Sequence, residues 1–295
     1  MKYPYRRSYR GSALRIDIRA DRKFFITMLG RYLSFSACPK QCKSSIKVVF
    51  YLSAQKQAPV NDGSGMISFN DHCSIDVNKR EIRILVSQKY SNRRKMDHND
   101  ILVRPLSCLL NSLGYYAIHA SSVYKNETFV VFSGPGGRGK STLSCVLSLR
   151  GFKHLCDDMV FIGERKNGIE LVPLKTRVKI DNQERKSFID VKSIDTDDMP
   201  ALSRHKKLFF IFPKYTGDLR PKLKPISRKE GIVRLISDNM VLETGQPDNR
   251  TAKISNLDFI CRLGNKTPFF EIYYNDRNLL ESGQMIEKLI VRSKY

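Results

Sequence analysis

The segment from Phe129 to Arg150 constrains the fold more than any other part of the chain. Its β-branched and aromatic run Phe129–Phe132 predicts a buried strand, and a glycine-rich turn follows at once. Lys140 and Ser141 then open an apolar-periodic segment, so that the residues from Gly134 onward match the phosphate-binding pattern G-x-x-x-x-G-K-[ST]. Because such a loop lies between a strand and a helix, the pattern predicts an α/β fold.

This loop is a candidate nucleotide site. Glycines let backbone N–H groups approach a phosphate closely, because no Cβ obstructs a positive φ, and the following helix N-terminus adds partial positive charge. Lys140 would reach the β- and γ-phosphates of ATP, and the Ser141 hydroxyl would be a ligand of Mg²⁺. The residues predicted to bind the nucleotide are Gly134, Gly136, Gly137, Arg138, Gly139, Lys140, Ser141 and Thr142. The alternative is a glycine-rich turn that binds nothing, and the flanking strand and helix make it the weaker interpretation.

The 295-residue chain carries a formal net charge of +23, which favours polyanionic partners such as nucleotides, nucleic acids, anionic membranes or acidic peptides. A lysine-rich genome would raise the charge without any partner. No apolar run is long enough to span a membrane, and the basic N-terminus lacks the apolar core of a secretory signal. The seven cysteines are odd in number, and Cys38 and Cys42 lack further ligands for a zinc site. We therefore expect a cytoplasmic protein without a disulfide framework.

The length favours two domains, with the polar basic stretch Lys89–Lys95 as the candidate boundary. We expect an α+β module over residues 1–95 and a P-loop domain over residues 96–295. In the module, the sequence predicts a basic arm or edge strand up to about residue 23, a helix at Phe24–Phe35, a strand at Ile46–Leu52, a loop at Gln55–Gly65 and a hairpin of Cys73–Val77 with Glu81–Val86.

In the second domain, apolar residues at helical spacing predict helices within Ile101–Leu113 and at Leu279–Val291. Ser227, with Glu230 three residues later, is typical of a helix N-cap. Strands are predicted at Tyr115–Val123, Thr128–Ser133, Met159–Gly163, Ile169–Val172, Leu208–Phe212 (ended by Pro213) and Phe269–Tyr274.

Three further features lie near the loop in sequence. Asp157 and Asp158 follow a short strand, where one carboxylate can hold a metal and the other can accept the proton of an attacking hydroxyl; the alternative is an ordinary Asp-Asp turn. His119, in an apolar strand, is either an active-site residue or a core histidine. Arg177 and Lys179 either contact a transferred phosphate or lie on a solvated strand face.

Four motifs taken together resemble the catalytic half of the HPr kinase/phosphorylase superfamily: His119–Ser122, Gly134–Leu143, Arg150-Gly151 and Leu155–Asp158. That family carries a histidine at a fixed distance ahead of its P-loop, a helix ending in Arg-Gly, and a strand ending in Asp-Asp. The resemblance implies a P-loop kinase core of the HPr kinase/phosphoenolpyruvate carboxykinase type, here with an N-terminal α+β module that the resemblance does not cover.

A later segment, Phe210–Lys214 followed by the helix from Ser227, is similar to the HPr-kinase-related branch of stand-alone kinases. Some members of that branch phosphorylate a serine of ribosomally made peptides, including lasso-peptide precursors. The resemblance as a whole runs from about Asp100 to the C-terminus.

The resemblance also implies roles for single residues. Lys140 matches the P-loop lysine, Ser141 and Asp157 match the Mg²⁺ ligands, Asp158 matches the base toward the serine hydroxyl, and His119 matches the active-site histidine. The chain departs from the bifunctional enzymes in two ways. Thr142 stands where they have Glu, and no second loop of the kind associated with dephosphorylation follows Lys179, so the resemblance implies kinase activity alone.

We therefore expect an ATP- and Mg²⁺-dependent kinase that modifies a serine of a peptide or protein, without a membrane partner and with homo-oligomerisation left open. The competing class is a nucleic-acid-associated or regulatory P-loop ATPase, which the positive charge alone suggests. The basic residues are not interleaved with stacking aromatic residues, and no helicase or transcription-factor motif accompanies the loop, so the pattern disfavours nucleic acid.

Overall fold

A computed structural model describes residues 3–10, 14–32, 46–55, 67–70, 73–76, 79–87, 102–157, 159–165, 168–174, 178–182, 185–189, 207–217, 220–239 and 250–292. Its strands are β1 (Tyr5–Arg10), β2 (Leu14–Ala20), β3 (Ile46–Gln55), β4 (Ile67–Asn70), β5 (Cys73–Asp76), β6 (Glu81–Ser87), β7 (Tyr115–Ile118), β8 (Ala120–Lys125), β9 (Thr128–Ser133), β10 (Lys153–Cys156), β11 (Met159–Arg165), β12 (Gly168–Leu174), β13 (Val178–Asn182), β14 (Arg185–Ile189), β15 (Lys207–Tyr215), β16 (Lys222–Ile226) and β17 (Phe269–Tyr274).

The helices are α1 (Lys23–Tyr32), α2 (Arg104–Ser112), α3 (Lys140–Leu149), α4 (Arg228–Asn239), α5 (Arg250–Lys266) and α6 (Leu279–Arg292), and a short 3₁₀ helix at Asp276–Asn278 precedes α6. The fold is therefore a mixed α/β fold. Within the described residues, no helix is both long and apolar enough to cross a membrane.

In the described part of the chain the strands form four sheets. The first has the order β1-β2-β3-β6-β5-β4, and the second has the order β10-β8-β9-β15-β17-β16. A three-stranded sheet, β12-β11-β7, lies beside the second, and β13 pairs with β14. In the second sheet β9, β15 and β17 are parallel, while β8, β10 and β16 complete it through antiparallel pairs.

The strands β8, β9 and β15 of the second sheet are buried on both faces over most of their length, as expected of a central sheet with helices on either side, whereas β16 is largely exposed. Alternate residues of β9 go to different clusters: Val130 and Phe132 pack with α3 and α6, whereas Phe129 and Val131 pack with α4 and α5. The cluster on the α4 side continues into the first sheet and α2. The predicted division near residue 95 lies outside the described residues and stays a prediction.

Most local elements agree with the sequence. The strands at Thr128–Ser133 and Phe269–Tyr274 have the predicted bounds, and the closing helix and the β5–β6 hairpin are confirmed. The stretch up to about residue 23 contains two strands: β1 lies at the edge of its sheet as predicted, but β2 lies inside the sheet, paired with β1 and β3. The Ser227 hydroxyl accepts a hydrogen bond from the Glu230 N–H at 3.2 Å, which confirms the N-cap. The predicted loop at Gln55–Gly65 lies outside the described residues after its first residue.

Two predictions about strands are wrong. The single strand predicted at Tyr115–Val123 is broken at His119 into β7 and β8, which belong to different sheets. Pro213 does not end its strand, since β15 continues to Tyr215. The pairing of β15 with β9 ends at Ile211, so Pro213 pairs only toward β17 in the described structure, and a missing N–H is tolerated there.

Candidate functional site

The glycine loop, Gly134–Gly139, connects the carboxyl end of β9 to the first turn of α3. Gly134, Gly137 and Gly139 have φ values of 142°, 75° and 82°, a region that L side chains rarely adopt. A Cβ added at Gly134 or Gly137 would meet no atom within 4 Å, so the loop borders open space. These dihedral angles explain why the sequence needs glycine here.

Tyr274, the last residue of β17, supports the loop from one side. Its hydroxyl donates a hydrogen bond of 2.9 Å to the carbonyl oxygen of Arg138. A Cβ at Gly139 would lie 1.5 Å from this Tyr274 hydroxyl, so both the space and the dihedral angle exclude a side chain. Burial raises the pKa of Tyr274 to about 12, so the hydroxyl keeps its proton for this bond at neutral pH.

Lys140 lies at the start of α3, and its side chain is folded under the glycine loop. Its ammonium group donates to the carbonyl oxygens of Gly134, at 2.6 Å, and Pro135, at 3.1 Å. Only 7% of the residue is exposed. A nearly buried ammonium group needs hydrogen-bond acceptors or an anion close by. The carbonyl oxygens of Gly134 and Pro135 therefore hold the positive charge of Lys140 beneath the loop.

Ser141 and Asp157 meet beside this lysine. The Ser141 hydroxyl donates a hydrogen bond of 2.6 Å to Oδ1 of Asp157, which is only 3% exposed. Asp157 follows β10, and β10 runs in the same direction as β9 because both pair antiparallel with β8. The carboxyl ends of the two strands therefore lie at one edge of the sheet, which brings the aspartate to the loop.

His119 lies at the same edge, between β7 and β8. Ala120, the next residue, is paired with Ser133 at the end of β9. Burial and the nearby Lys140 charge lower the pKa of His119, and Asp157 opposes them. The histidine is therefore close enough to both residues to sense their charges, and it is neutral at pH 7. The prediction that it lies inside a strand is wrong, because the chain changes sheets at this residue.

At this edge, the described part of the chain crosses between the second sheet and the three-stranded sheet at two points. The first crossing is at His119, and the second is between β10 and β11, directly after Asp157. In the second sheet Ser122 pairs with Cys156, and in the three-stranded sheet Ile118 pairs with Val160. The two crossings between these pairs therefore lie side by side. The structure thus brings together His119 and Asp157, which are 38 positions apart in the sequence.

Asp238 is a member of this group that the sequence analysis did not identify. It lies in the last turn of α4, and the Ser133 hydroxyl contacts its Oδ2 at 3.4 Å. Burial raises the pKa of Asp238, while the Lys140 charge lowers it. A carboxylate near a helix C-terminus is opposed by the helix dipole. An acidic residue in the last turn of a helix was the sequence signal that could have identified Asp238, because side chains that violate a local preference cluster at functional sites.

Other predicted residues are placed less completely. Thr142 lies in the first turn of α3, and Arg138 contributes its carbonyl oxygen to the bond with Tyr274. Asp158 and Arg177 lie outside the described residues. Lys179 is in β13, but its side chain is likewise outside the description.

No model of a known protein family matches the chain, and no curated protein matches its sequence. Among solved structures it is similar to the Hpr(Ser) kinase/phosphatase from Coxiella burnetii, with a TM-score of 0.34 and 17% sequence identity, over 61% of this chain and 99% of that chain. Because that TM-score does not establish a common fold, the chemistry of the site depends on its own residues.

Proposed function

We propose that the protein is an ATP-dependent kinase that transfers the γ-phosphoryl group to a serine hydroxyl of a peptide or protein. One observation carries the proposal: the Ser141–Asp157 hydrogen bond of 2.6 Å lies at the end of a glycine loop whose lysine is held beneath it. A hydroxyl and a carboxylate beside a buried cation are suited to hold a nucleotide and its metal.

The loop fits the phosphates of ATP. Gly134, Gly136 and Gly137 border open space along the loop, so backbone N–H groups can approach the phosphate oxygens. The N-cap of α3 is Gly139, which has no side chain to cap the helix, so the helix N-terminus is available to an anion. Lys140 would exchange its carbonyl acceptors for the β- and γ-phosphate oxygens.

Ser141 and Asp157 fit Mg²⁺, because a hard cation takes oxygen ligands and is commonly held by one or two carboxylates with phosphate and water. Their oxygen atoms already lie within hydrogen-bond distance of each other. Mg²⁺ bound there would neutralise part of the negative charge on the triphosphate. The residues present therefore suit the metal that the kinase needs.

Asp158 is assigned as the base, as the family resemblance implies. It would take the proton of the serine hydroxyl while the serine oxygen forms a bond to the γ-phosphorus. The bond between that phosphorus and the β–γ bridging oxygen breaks, and its electron pair leaves with ADP. Lys140 stabilises negative charge on the phosphoryl oxygens, and neutral His119 offers a hydrogen bond without adding charge.

The finer assignment concerns the substrate. A precursor of a ribosomally made peptide, of the lasso type, fits the resemblance of the segment after Phe210, and a cytoplasmic location suits such peptide tailoring. The chain's net charge of +23 favours an acidic acceptor. The same charge supports the second candidate, a nucleic-acid-associated or regulatory ATPase.

Incubation of the protein with γ-labelled ATP, Mg²⁺ and candidate serine peptides tests the proposal. The label should appear on a serine oxygen when the peptide is mapped by mass spectrometry. Label on histidine or lysine, or release of free phosphate with every peptide, would contradict the serine-kinase assignment. Phosphate release that rises only when RNA or DNA is added would favour the second candidate.

A further inference from the structure

On the face of the second sheet that packs against α4, the side chains change from apolar to charged toward the glycine loop. Side chains on one face of adjacent strands lie in rows set by the register. From the far end toward the loop, the rows across β15, β17 and β16 are Phe210, Phe269 and Ile226, then Phe212, Glu271 and Lys224, then Lys214, Tyr273 and Lys222. The face is therefore apolar under α4 and cationic at the carboxyl edge of the parallel strands.

We call Lys214, Lys222, Lys224 and Tyr273 the lysine surface. The ammonium groups of Lys214 and Lys224 lie 5.0 and 5.1 Å from the centroid of the Tyr273 ring. Both lysines are exposed, and Tyr273 is half-buried. Two cations are thus held around one ring, where cation–π attraction fixes them although their charges repel each other.

The acid beneath this surface is already engaged. Glu271 is 7% exposed and accepts a hydrogen bond of 2.9 Å from Arg234 of α4. It also accepts a hydrogen bond from the Tyr273 hydroxyl. Burial raises the pKa of Glu271, but these hydrogen bonds outweigh burial, so the pKa is lowered. Glu271 therefore fixes the tyrosine from below. Together with Glu230, which pairs with Arg234 at 2.6 Å, it balances the Arg234 charge, and the Lys214 charge also helps to lower the pKa of Glu271. The ring contacts hold the lysine ammonium groups at the surface.

The lysine surface is connected to the glycine loop through β17. Tyr274 directly follows Tyr273 and points to the opposite face, where its hydroxyl is bonded to the Arg138 carbonyl oxygen at 2.9 Å. Neighbouring residues of β17 thus contact the loop and form the surface. A ligand on the surface would lie at the same sheet edge as the loop.

The surface has features that favour an acidic peptide over other anions. β16 lies at the end of the second sheet and carries Lys222, Lys224 and Pro225, which disfavour the addition of another strand. A partner would therefore bind through its side chains. Because Lys214 and Lys224 lie against the Tyr273 ring, the ring is poorly available for stacking of a nucleic-acid base.

We propose that the lysine surface binds acidic side chains of the peptide that carries the acceptor serine. This rests on the proposed kinase function. Carboxylates would pair with the two ammonium groups and relieve the repulsion between them. The surface would thereby select acidic substrates and hold them beside the phosphoryl donor.

Binding of fluorescently labelled peptides to the full chain tests this without requiring transfer. One peptide carries a serine flanked by glutamates, and a second has glutamine at each of those positions. Lys214→Gln/Lys224→Gln is compared with Lys288→Gln/Arg292→Gln, which removes the same charge from exposed residues of α6. At about physiological ionic strength, the first double variant should bind the acidic peptide about tenfold more weakly, since each exposed ion pair contributes modestly and is screened by salt.

The α6 control should bind the acidic peptide like the wild type, and the glutamine peptide should bind weakly and equally to all three proteins. Equal loss in both double variants, or no preference of the wild type for the acidic peptide, overturns the proposal. Tighter binding of a labelled RNA or of anionic vesicles, lost in the first variant alone, also overturns it and assigns the surface to that ligand. ATP affinity, measured in parallel, separates a failure of this surface from a failure of the nucleotide site.

Discussion

The hydroxyl of Ser141 and the carboxylate of Asp157 are joined by a hydrogen bond of 2.6 Å. Ser141 lies in the first turn of α3, and Asp157 directly follows β10. The sheet brings the start of this helix and the end of this strand to one edge. Asp157→Asn removes the negative charge and keeps the size of the side chain. We expect it to weaken Mg²⁺ dependence and ATP affinity together, because Mg²⁺ prefers charged oxygen ligands. Titration of a fluorescent nucleotide at several Mg²⁺ concentrations measures both, and unchanged affinity at low Mg²⁺ would contradict the metal role.

Lys140→Ala should greatly reduce ATP turnover while the fold persists. The ammonium group is the positive charge beneath the glycine loop, and the loss of one charge clamp in phosphoryl transfer lowers the rate by about 10²–10³-fold. Phosphate release is measured next to a circular-dichroism melt, with Lys288→Ala on α6 as the control for loss of a lysine. Normal turnover in a folded Lys140→Ala protein would end the nucleotide-site assignment.

Gly139→Ala should damage the site although it adds one methyl group. The added Cβ would lie 1.5 Å from the Tyr274 hydroxyl, at a φ of 82°, so Tyr274 would have to release the Arg138 carbonyl oxygen. A left-handed conformation adds about 1–2 kcal/mol of strain. Gly217→Ala, outside the glycine loop, is the matched control, because its Cβ would meet nothing within 4 Å. We expect lower thermal stability and ATP affinity for the first variant alone.

Asp158→Asn should bind Mg-ATP normally and lose transfer to serine by about 10²–10⁴-fold, the usual contribution of a positioned base. Asp157→Asn, which should lose nucleotide affinity instead, is the comparison that distinguishes the two carboxylates. Nucleotide binding and transfer of label to peptide are measured on the same preparations. Normal transfer by Asp158→Asn would place the base elsewhere, and His119 would be the next residue to replace.

The pKa of His119 is lowered from its ordinary value of 6.5 by burial and by Lys140. As the pH falls below about 6.5, the unfolded chain takes up a proton that the folded protein resists, so the free energy of unfolding decreases until the pH passes the folded pKa. His119→Gln should remove this decrease. Urea unfolding of both proteins from about pH 7.5 to pH 5 shows it, and parallel stability curves would contradict a lowered pKa.

The local elements of the site could be predicted because each is encoded in a short stretch. The apolar strand before Gly134 and the helix from Lys140 follow from residue types within a few positions, and both have the expected bounds. The break at His119 could not be predicted in this way. Ala117 and Ala120 continue an apolar pattern that is compatible with one strand, and only the pairing partners, β11 for β7 and β9 for β8, separate it into two.

Asp238 was missed for a related reason. It is more than 90 residues from the loop in sequence, and it reaches Ser133 only because α4 packs across the second sheet with Gly231 against the Phe269 ring. No spacing rule connects these residues. Helix packing on a sheet depends on side chains from several strands, so the contact follows from the tertiary structure alone.

The crossing at His119 also limits how the chain can change in length. A strand alternates its side chains between faces, so one inserted or deleted residue in β8 would turn every later side chain of that strand to the other face. At His119 the chain has no loop between the sheets in which such a shift could be absorbed, since β7 and β8 are separated by a single residue. β10 differs, because its register with β8 already shifts between His154 and Cys156. We therefore expect insertions to be tolerated in the turn between β8 and β9, at Asn126 and Glu127, and to disrupt the sheet when they fall within β8.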